Sequence, residues 1–235
     1  MSLSRTLHAL DWPALTRQLD ADGQALIPGL LDRAQCEMLR ALYDRDAPFR
    51  SRVVMARHNF GLGEYRYFTY PLPALLQELR EAIYAPLRVI ANTWQERMDT
   101  GIRYPPEHAD FLAQCHAADQ RWPTPLLLRY RAGDYNCLHQ DLYGELAFPL
   151  QVAILLSRPG EEFTGGEFVL TEQRPRMQSR ASVVPLQQGD AVVFALAQRP
   201  VLGVRGYHRV NLRHGVSRLH TGERFTLGVI FHDAL

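Results

Sequence analysis

The hydrophobic positions of this chain change period about halfway along it. Up to about residue 122 they recur mostly at helical spacing, and beyond it they alternate or form short blocks between turn residues. Asp11-Trp12-Pro13 supplies a cap and a proline for a first helical turn, and Trp12, Leu15 and Leu19 continue one face as far as Asp22-Gly23. A short strand is predicted at 24–30. Asp32 then opens a helix carried by Cys36, Leu39 and Leu42 to about Asp44. The longest helical stripe lies within 72–94, formed by Leu75, Leu76, Leu79, Ile83, Leu87, Ile90 and Trp94, and Pro86 is expected to interrupt it. A further helical run, 111–118, falls within 104–122. The segment 50–70, rich in aromatic residues and arginine, fits either strands or a lid over a site.

In the second half an apolar run at 126–130 passes through Ala132-Gly133-Asp134 into a second short run containing Tyr135, Cys137 and His139. Strands are predicted at 150–157, 166–172, 182–186, 191–196, 209–219 and 224–231, with turns at Pro159-Gly160, Gln188-Gly189-Asp190 and Thr221-Gly222. Seven or eight short strands with helices only upstream predict a mainly β, α+β chain built on a jelly-roll barrel. No repeat or linker divides it. The expectation is one domain over 1–235, with 1–122 mostly helical support and lid and 123–235 the barrel core.

Composition narrows the class. Hydrophobic residues at 46% and charged residues at 22% are globular values. No apolar stretch reaches the ~18 residues needed to span a bilayer, and the N-terminal MSLSRTLHALDW lacks the apolar core of a secretory signal. A cytoplasmic protein with no membrane partner is expected. Cys36, Cys115 and Cys137 are odd in number and far apart, which reads as reduced thiols. There is no lysine, so all 26 basic residues are arginine. The net charge of +1 hides an asymmetry, because nine arginines between 174 and 224 face only Asp190 and Glu223. That excess would attract an anionic partner such as nucleic acid, or pair with the acidic remainder of the chain. Oligomeric state is not legible.

The candidate chemistry begins at His139-Gln140-Asp141. Alternation along an extended strand turns His139 and Asp141 to one side, where an imidazole and a carboxylate suit one divalent ion; the plain alternative is a surface pair. A second, distant histidine would complete the 2-His-1-carboxylate set of non-haem Fe(II) oxygenases, which leaves coordination positions open. His208, His214, His220 and His232 are the candidates, whereas His108 and His116 read as non-ligands. Along 224–231, Phe225, Leu227, Val229 and Phe231 share one face, and Arg224, Thr226 and Gly228 the other. An inward guanidinium fork suits bidentate capture of a carboxylate, with the Thr226 hydroxyl as a further donor; a structural salt bridge is the alternative.

These residues carry a resemblance. HQD at 139–141, HGV at 214–216 and Arg224-Phe225-Thr226 resemble the iron- and 2-oxoglutarate-dependent dioxygenases, and Arg129-Tyr130 followed by Gly133-Asp134 looks like the segment ahead of the metal motif in prolyl hydroxylases. Gly165-Gly166-Glu167-Phe168 and Gly189-Asp190 look like turns of that family. The resemblance covers roughly 126–233 and implies a double-stranded β-helix, Fe(II) held by His139, Asp141 and His214, and 2-oxoglutarate held at its far carboxylate by Arg224, Thr226 and Tyr130. It also implies O₂ as cosubstrate and hydroxylation of a C–H bond with release of succinate and CO₂, with no catalytic residue beyond the metal ligands. His214 is preferred to His208 because Gly215 leaves room beside the ion and because ten residues separate it from Arg224, as in the prolyl-hydroxylase pattern. Six positions, ~20 Å of strand, separate the two histidines, so only one can reach the ion. Asp141 in the carboxylate position argues against a halogenase.

More closely, FTGGEFVLTEQRPRMQSR and VNLRHGVSRLHTGERFTLGVIFHD look like a bacterial oxygenase family described as acting oxidatively on alkylated DNA. Ile230 stands where the related repair dioxygenases place a second arginine, and Leu128 where they place an asparagine. Three readings follow: an oxygenase of a small-molecule or peptide substrate, an oxidative nucleobase dealkylase, and an inactive metal-binding sensor barrel.

Overall fold

The computed structural model describes residues 3–235. Its elements are α1 (Leu3–His8), α2 (Trp12–Asp22), β1 (Gln24–Ile27), α3 (Arg33–Arg40), β2 (Phe49–Val54), β3 (Gly61–Leu62), β4 (Glu64–Phe68), α4 (Ala74–Arg97) and α5 (His108–Ala117). There follow β5 (Leu126–Arg131), β6 (Tyr135–His139), β7 (Leu150–Leu155), β8 (Phe163–Gly165), β9 (Phe168–Gln173), β10 (Arg180–Val184), β11 (Ala191–Ala195), β12 (Gln198–Gly203), β13 (Gly206–Val216) and β14 (Leu219–Val229). The caps are those the sequence announces. Asp11 accepts from the Ala14 amide, and Asp32 forms a reciprocal capping box with Gln35.

Two antiparallel sheets form the jelly roll. The larger runs β1-β11-β7-β14-β5-β4-β2, with β8 off β14, and the smaller runs β10-β9-β13-β6-β3, with β12 off β13. Alternation divides the larger sheet into two faces. Leu127, Ile154, Val193, Phe225, Leu227 and Val229 join the main core with Leu76, Leu79, Ile83 and Leu87 of α4, while Tyr130, Ala153, Leu155 and Val192 turn toward the smaller sheet. A buried Arg80–Asp233 pair at 2.7 Å, joined by the Tyr70 hydroxyl and by His116, ties α4 to the end of the barrel.

Several expectations need correction. Pro86 does not interrupt its helix, since α4 is continuous from Ala74 to Arg97. A helix-interior proline costs ~3 kcal/mol, but Ile83, Tyr84 and Leu87 around it are fully buried, and each such side chain contributes roughly 1.5–3 kcal/mol. Thr221-Gly222 is no turn: both lie inside β14, and the chain reverses instead at Ser217-Arg218. Gly222, at φ 79°, is needed because β8 crosses there and a Cβ would lie 1.9 Å from the Glu162 carbonyl. The stretch 203–206 is the tip of a β12–β13 hairpin, and β12 itself is an unexpected strand. The segment 50–70 contains β2, β3 and β4, which extend both sheets.

Candidate active site

The site begins with an irregularity where β6 meets β13. His139 pairs with His214 and Asn136 with Val216, so three steps on β6 match two on β13. The extra residue is absorbed as a bulge at Cys137-Leu138, both exposed, which lets Asn136 and His139 both face inward. Gly215 opposes the bulge, and a Cβ there would lie 2.7 Å from the Asn136 carbonyl and 3.2 Å from that of Cys137. Gly215 therefore makes room for the backbone of β6, not for an ion.

The bulge also sets a tautomer. The Cys137 carbonyl accepts from His139 Nδ1 at 2.7 Å, which in the neutral ring places the proton on Nδ1 and leaves Nε2, 3.3 Å from Asp141 Oδ1, as the nitrogen open to a metal. His214 Nε2 lies 3.3 Å from Asp141 Oδ2, and one ligand atom from each of the three residues falls within 4.8 Å of the others. Burial opposes ionisation of Asp141, but His139 and His214 outweigh it and hold the carboxyl well below its usual range. Burial likewise opposes protonation of His139, yet Asp141 raises its pKa; in His214 burial prevails and lowers it. The Gln140 amide donates to the carbonyls of Ala197 (3.1 Å) and Leu212 (2.8 Å), and so pins the motif to the β11–β12 connection and to β13.

From these ligands a cavity of about 290 Å³ runs between the sheets to Arg224, Thr226 and Tyr130. Arg224 and Tyr130 are register partners on β14 and β5. Arg224 is 1% exposed, and burial depresses its pKa to about 10. Among the described residues it forms no ion pair; its guanidinium donates to Thr226 Oγ1 at 2.5 Å, while its Nε and the Tyr130 hydroxyl have no hydrogen-bond partner. The salt-bridge alternative for Arg224 thus finds no acid within ion-pair distance among the described residues. Buried, unanswered donors at one end fit an anionic carboxylate, and two imidazoles with a carboxylate at the other fit a borderline divalent ion such as Fe(II).

The other candidate histidines lie elsewhere. His208 pairs with Val201 on the β12–β13 hairpin, His220 is exposed, and His232 is fully buried with Nδ1 accepting from the Phe148 amide at 3.2 Å. Of the C-terminal arginines, Arg174, Arg180 and Arg199 converge on Glu172, whereas Arg205 and Arg213 are exposed.

Sequence reasoning overlooked four polar groups that line the cavity: Tyr65, Asn136, Tyr143 and Gln151. Two left a signal. Gln151 is the one polar residue in the run LQVAIL, and its buried Nε2 has no partner. Tyr143 repeats the His139–Asp141 interval once more, and its hydroxyl donates to Asp141 Oδ1 at 2.7 Å. Its phenol stays protonated, with burial and then Asp141 raising its pKa.

Comparisons with known proteins agree on the class. Residues 63–234 match the Oxygenase-NA family, described as an oxygenase catalysing oxidative methylation of damaged DNA. An uncharacterized protein of Mycobacterium tuberculosis is 48% identical over 190 residues, covering 79% of this chain and 82% of its own length. Among solved structures, an oxidoreductase of the 2OG-Fe(II) oxygenase family from Burkholderia pseudomallei aligns with a TM-score of 0.57 at 18% identity, over 96% of this chain and 94% of that one. A prolyl-4-hydroxylase from Pseudomonas putida aligns with a TM-score of 0.55 at 15% identity, over 95% and 99%. No helix among the described residues is long and apolar enough to cross a membrane. The chain belongs to the Oxygenase-NA family: it is an oxygenase, an oxidoreductase, built on the jelly-roll fold of the 2-oxoglutarate- and Fe(II)-dependent enzymes.

Proposed function

We propose that this oxygenase uses Fe(II), 2-oxoglutarate and O₂ to hydroxylate a C–H bond of a small molecule or peptide side chain, releasing succinate and CO₂. The carrying observation is the pairing, in one cavity, of a three-ligand cluster with a buried guanidinium that has no acidic partner. His139, Asp141 and His214 would hold the metal. Arg224 and Thr226 would hold the far carboxylate of 2-oxoglutarate, with the Tyr130 hydroxyl as a third donor. When bound, the metal and cosubstrate supply activation of O₂ coupled to decarboxylation.

The protein's part is orientation and exclusion of water. The Cys137 carbonyl keeps His139 Nε2 free to ligate, and Gln140 holds the strand end that presents Asp141. Leu126, Leu128, Phe168, Phe194 and Ile230 make the walls apolar. Once Arg224 is paired, the polar groups left for a substrate are uncharged: Tyr65, Asn136 and the orphaned amide of Gln151. That supports a neutral reacting group.

A second reading, oxidative dealkylation of a nucleobase, draws support from the family description and from exposed Arg205 and Arg213. One assay tests both: succinate formed with Fe(II) present, across metabolite and peptide panels and alkylated single-stranded DNA. Stimulation by a neutral metabolite or peptide is expected. Stimulation by alkylated DNA alone would transfer the assignment to the second reading, and no succinate under any condition would overturn both.

A further inference from the structure

Among the described residues, Tyr143 is the one side chain outside the proposed ligand set whose donor reaches the ligand carboxylate. Its hydroxyl donates to Asp141 Oδ1 at 2.7 Å; the same oxygen lies 3.3 Å from His139 Nε2, and Asp141 Oδ2 lies 3.3 Å from His214 Nε2. The two carboxylate oxygens are thus alike in facing a histidine and differ in the donor that Tyr143 supplies to Oδ1. A carboxylate free to rotate can offer a metal both oxygens, and the second would occupy a position that a cosubstrate needs.

The phenol is held from two sides. Its ring stands edge-on to Tyr67 at 6.2 Å, and Tyr67 lies under the Arg50 guanidinium at 4.5 Å. The loop that carries it is clamped by Gln120, whose Nε2 donates to the Leu146 carbonyl at 2.9 Å and whose Oε1 accepts from the Leu146 amide at 2.8 Å. At Gly144, next to Tyr143, a Cβ would lie 2.5 Å from the Gln120 side chain, so the clamp closes directly behind the phenol. Tyr67 belongs to β4 and Gln120 follows α5, so elements from the N-terminal half fix this hydroxyl in place.

From this arrangement we infer that Tyr143 is a positioning residue: by hydrogen-bonding one oxygen of Asp141 it fixes the rotation of the carboxylate, so that Asp141 would ligate through a single oxygen. The inference rests on the metal-centre reading above. Partners that orient a metal ligand in this way change metal affinity by about 10–100-fold when removed.

The test is anaerobic titration of wild type and Tyr143→Phe with Co(II), followed by visible absorption, then titration of each Co(II)-loaded protein with 2-oxoglutarate. Tyr143→Phe should bind Co(II) about 10-fold or more weakly, give a Co(II) spectrum altered in intensity and position, and respond less to added 2-oxoglutarate, at an unchanged thermal midpoint. A variant with wild-type Co(II) affinity and spectrum would overturn this inference alone. So would a loss of affinity accompanied by an equal fall in thermal stability and a wild-type spectrum, because that is the signature of packing. A wild-type protein that takes up no stoichiometric Co(II) would overturn the metal-centre reading and this inference with it.

Discussion

His139 and His214 face each other across the β6–β13 ladder as register partners, their ring centroids 4.2 Å apart. Residues 75 positions apart in sequence thus meet as a cross-strand pair, held by the register of the ladder. Asp141 closes the group from the loop beyond β6. Each of the three single alanine variants, at His139, Asp141 and His214, should fail to retain stoichiometric Fe(II), whereas His208→Ala, on the hairpin away from the cavity, should retain it. Metal content after anaerobic loading and desalting decides, and iron lost from His208→Ala but kept by His214→Ala would move the ligand role.

Arg224 invites a test with two opposite signs. Buried without an ion-pair partner among the described residues, its charge is a cost to the fold of the free protein, yet it is the proposed anchor for 2-oxoglutarate. Arg224→Met should therefore leave the thermal midpoint of the free protein equal to or above wild type. It should also weaken 2-oxoglutarate binding by roughly 30-fold or more, consistent with a lost charge-assisted pair of about 2–3 kcal/mol. Thermal shifts with and without 2-oxoglutarate measure both, and an undiminished ligand-induced shift in the variant would exclude the anchoring role.

Gly215→Ala probes the bulge. Its new Cβ meets the Asn136 carbonyl at 2.7 Å, and backbone cannot move aside as a flexible side-chain end can. A destabilisation of about 2–3 kcal/mol is expected, together with weakened metal binding, because Asn136 and His139 lie on either side of the bulge. Denaturant unfolding near wild type would show that the bulge relaxes freely.

Acid stability should depend on two histidines far from solvent. Burial pushes both His108 and His232 from the ordinary 6.5 to about 4. Between those values the unfolded chain takes up protons that the folded chain excludes, so the contribution is complete above pH ~6.5 and declines as the pH falls toward 4. At ~1.4 kcal/mol per unit, each accounts for up to roughly 3 kcal/mol. Comparing unfolding free energies at pH 7.5 and 4.5 for wild type and His108→Gln tests this. The variant should show a smaller loss on acidification, and equal losses would contradict it.

Much of this molecule is legible from local pattern. The alternation in 224–231 assigns Arg224, Thr226 and Gly228 to one face and Phe225, Leu227 and Val229 to the other, and the structure places the first set on the cavity and the second in the main core. What escaped depends on contacts between distant segments. Nothing near Pro86 reports that a sheet will bury the stripe on either side of it. Gly222 looks like turn chemistry because the sequence carries no sign of Glu162 passing 1.9 Å from its missing Cβ. The role of Gly215 was misread for the same reason: the crowding comes from a bulge on another strand. Tyr143 continues the two-residue interval of His139 and Asp141, but its importance lies in a bond to Asp141 that the interval alone does not announce.

The strict two-face division of β14 has a consequence for how this protein tolerates sequence change. Point substitutions along the strand act on one face at a time. Deleting a single residue between 219 and 224 would instead shift every later side chain to the opposite face, placing Phe225 and Leu227 where the cosubstrate's carboxylate is proposed to lie and putting Arg224 in the half-exposed position of Glu223, among Arg40, Arg129 and Arg131. Length changes here would therefore abolish folding and chemistry together, so drift in this strand should proceed by exchange of residues and almost never by their loss or gain.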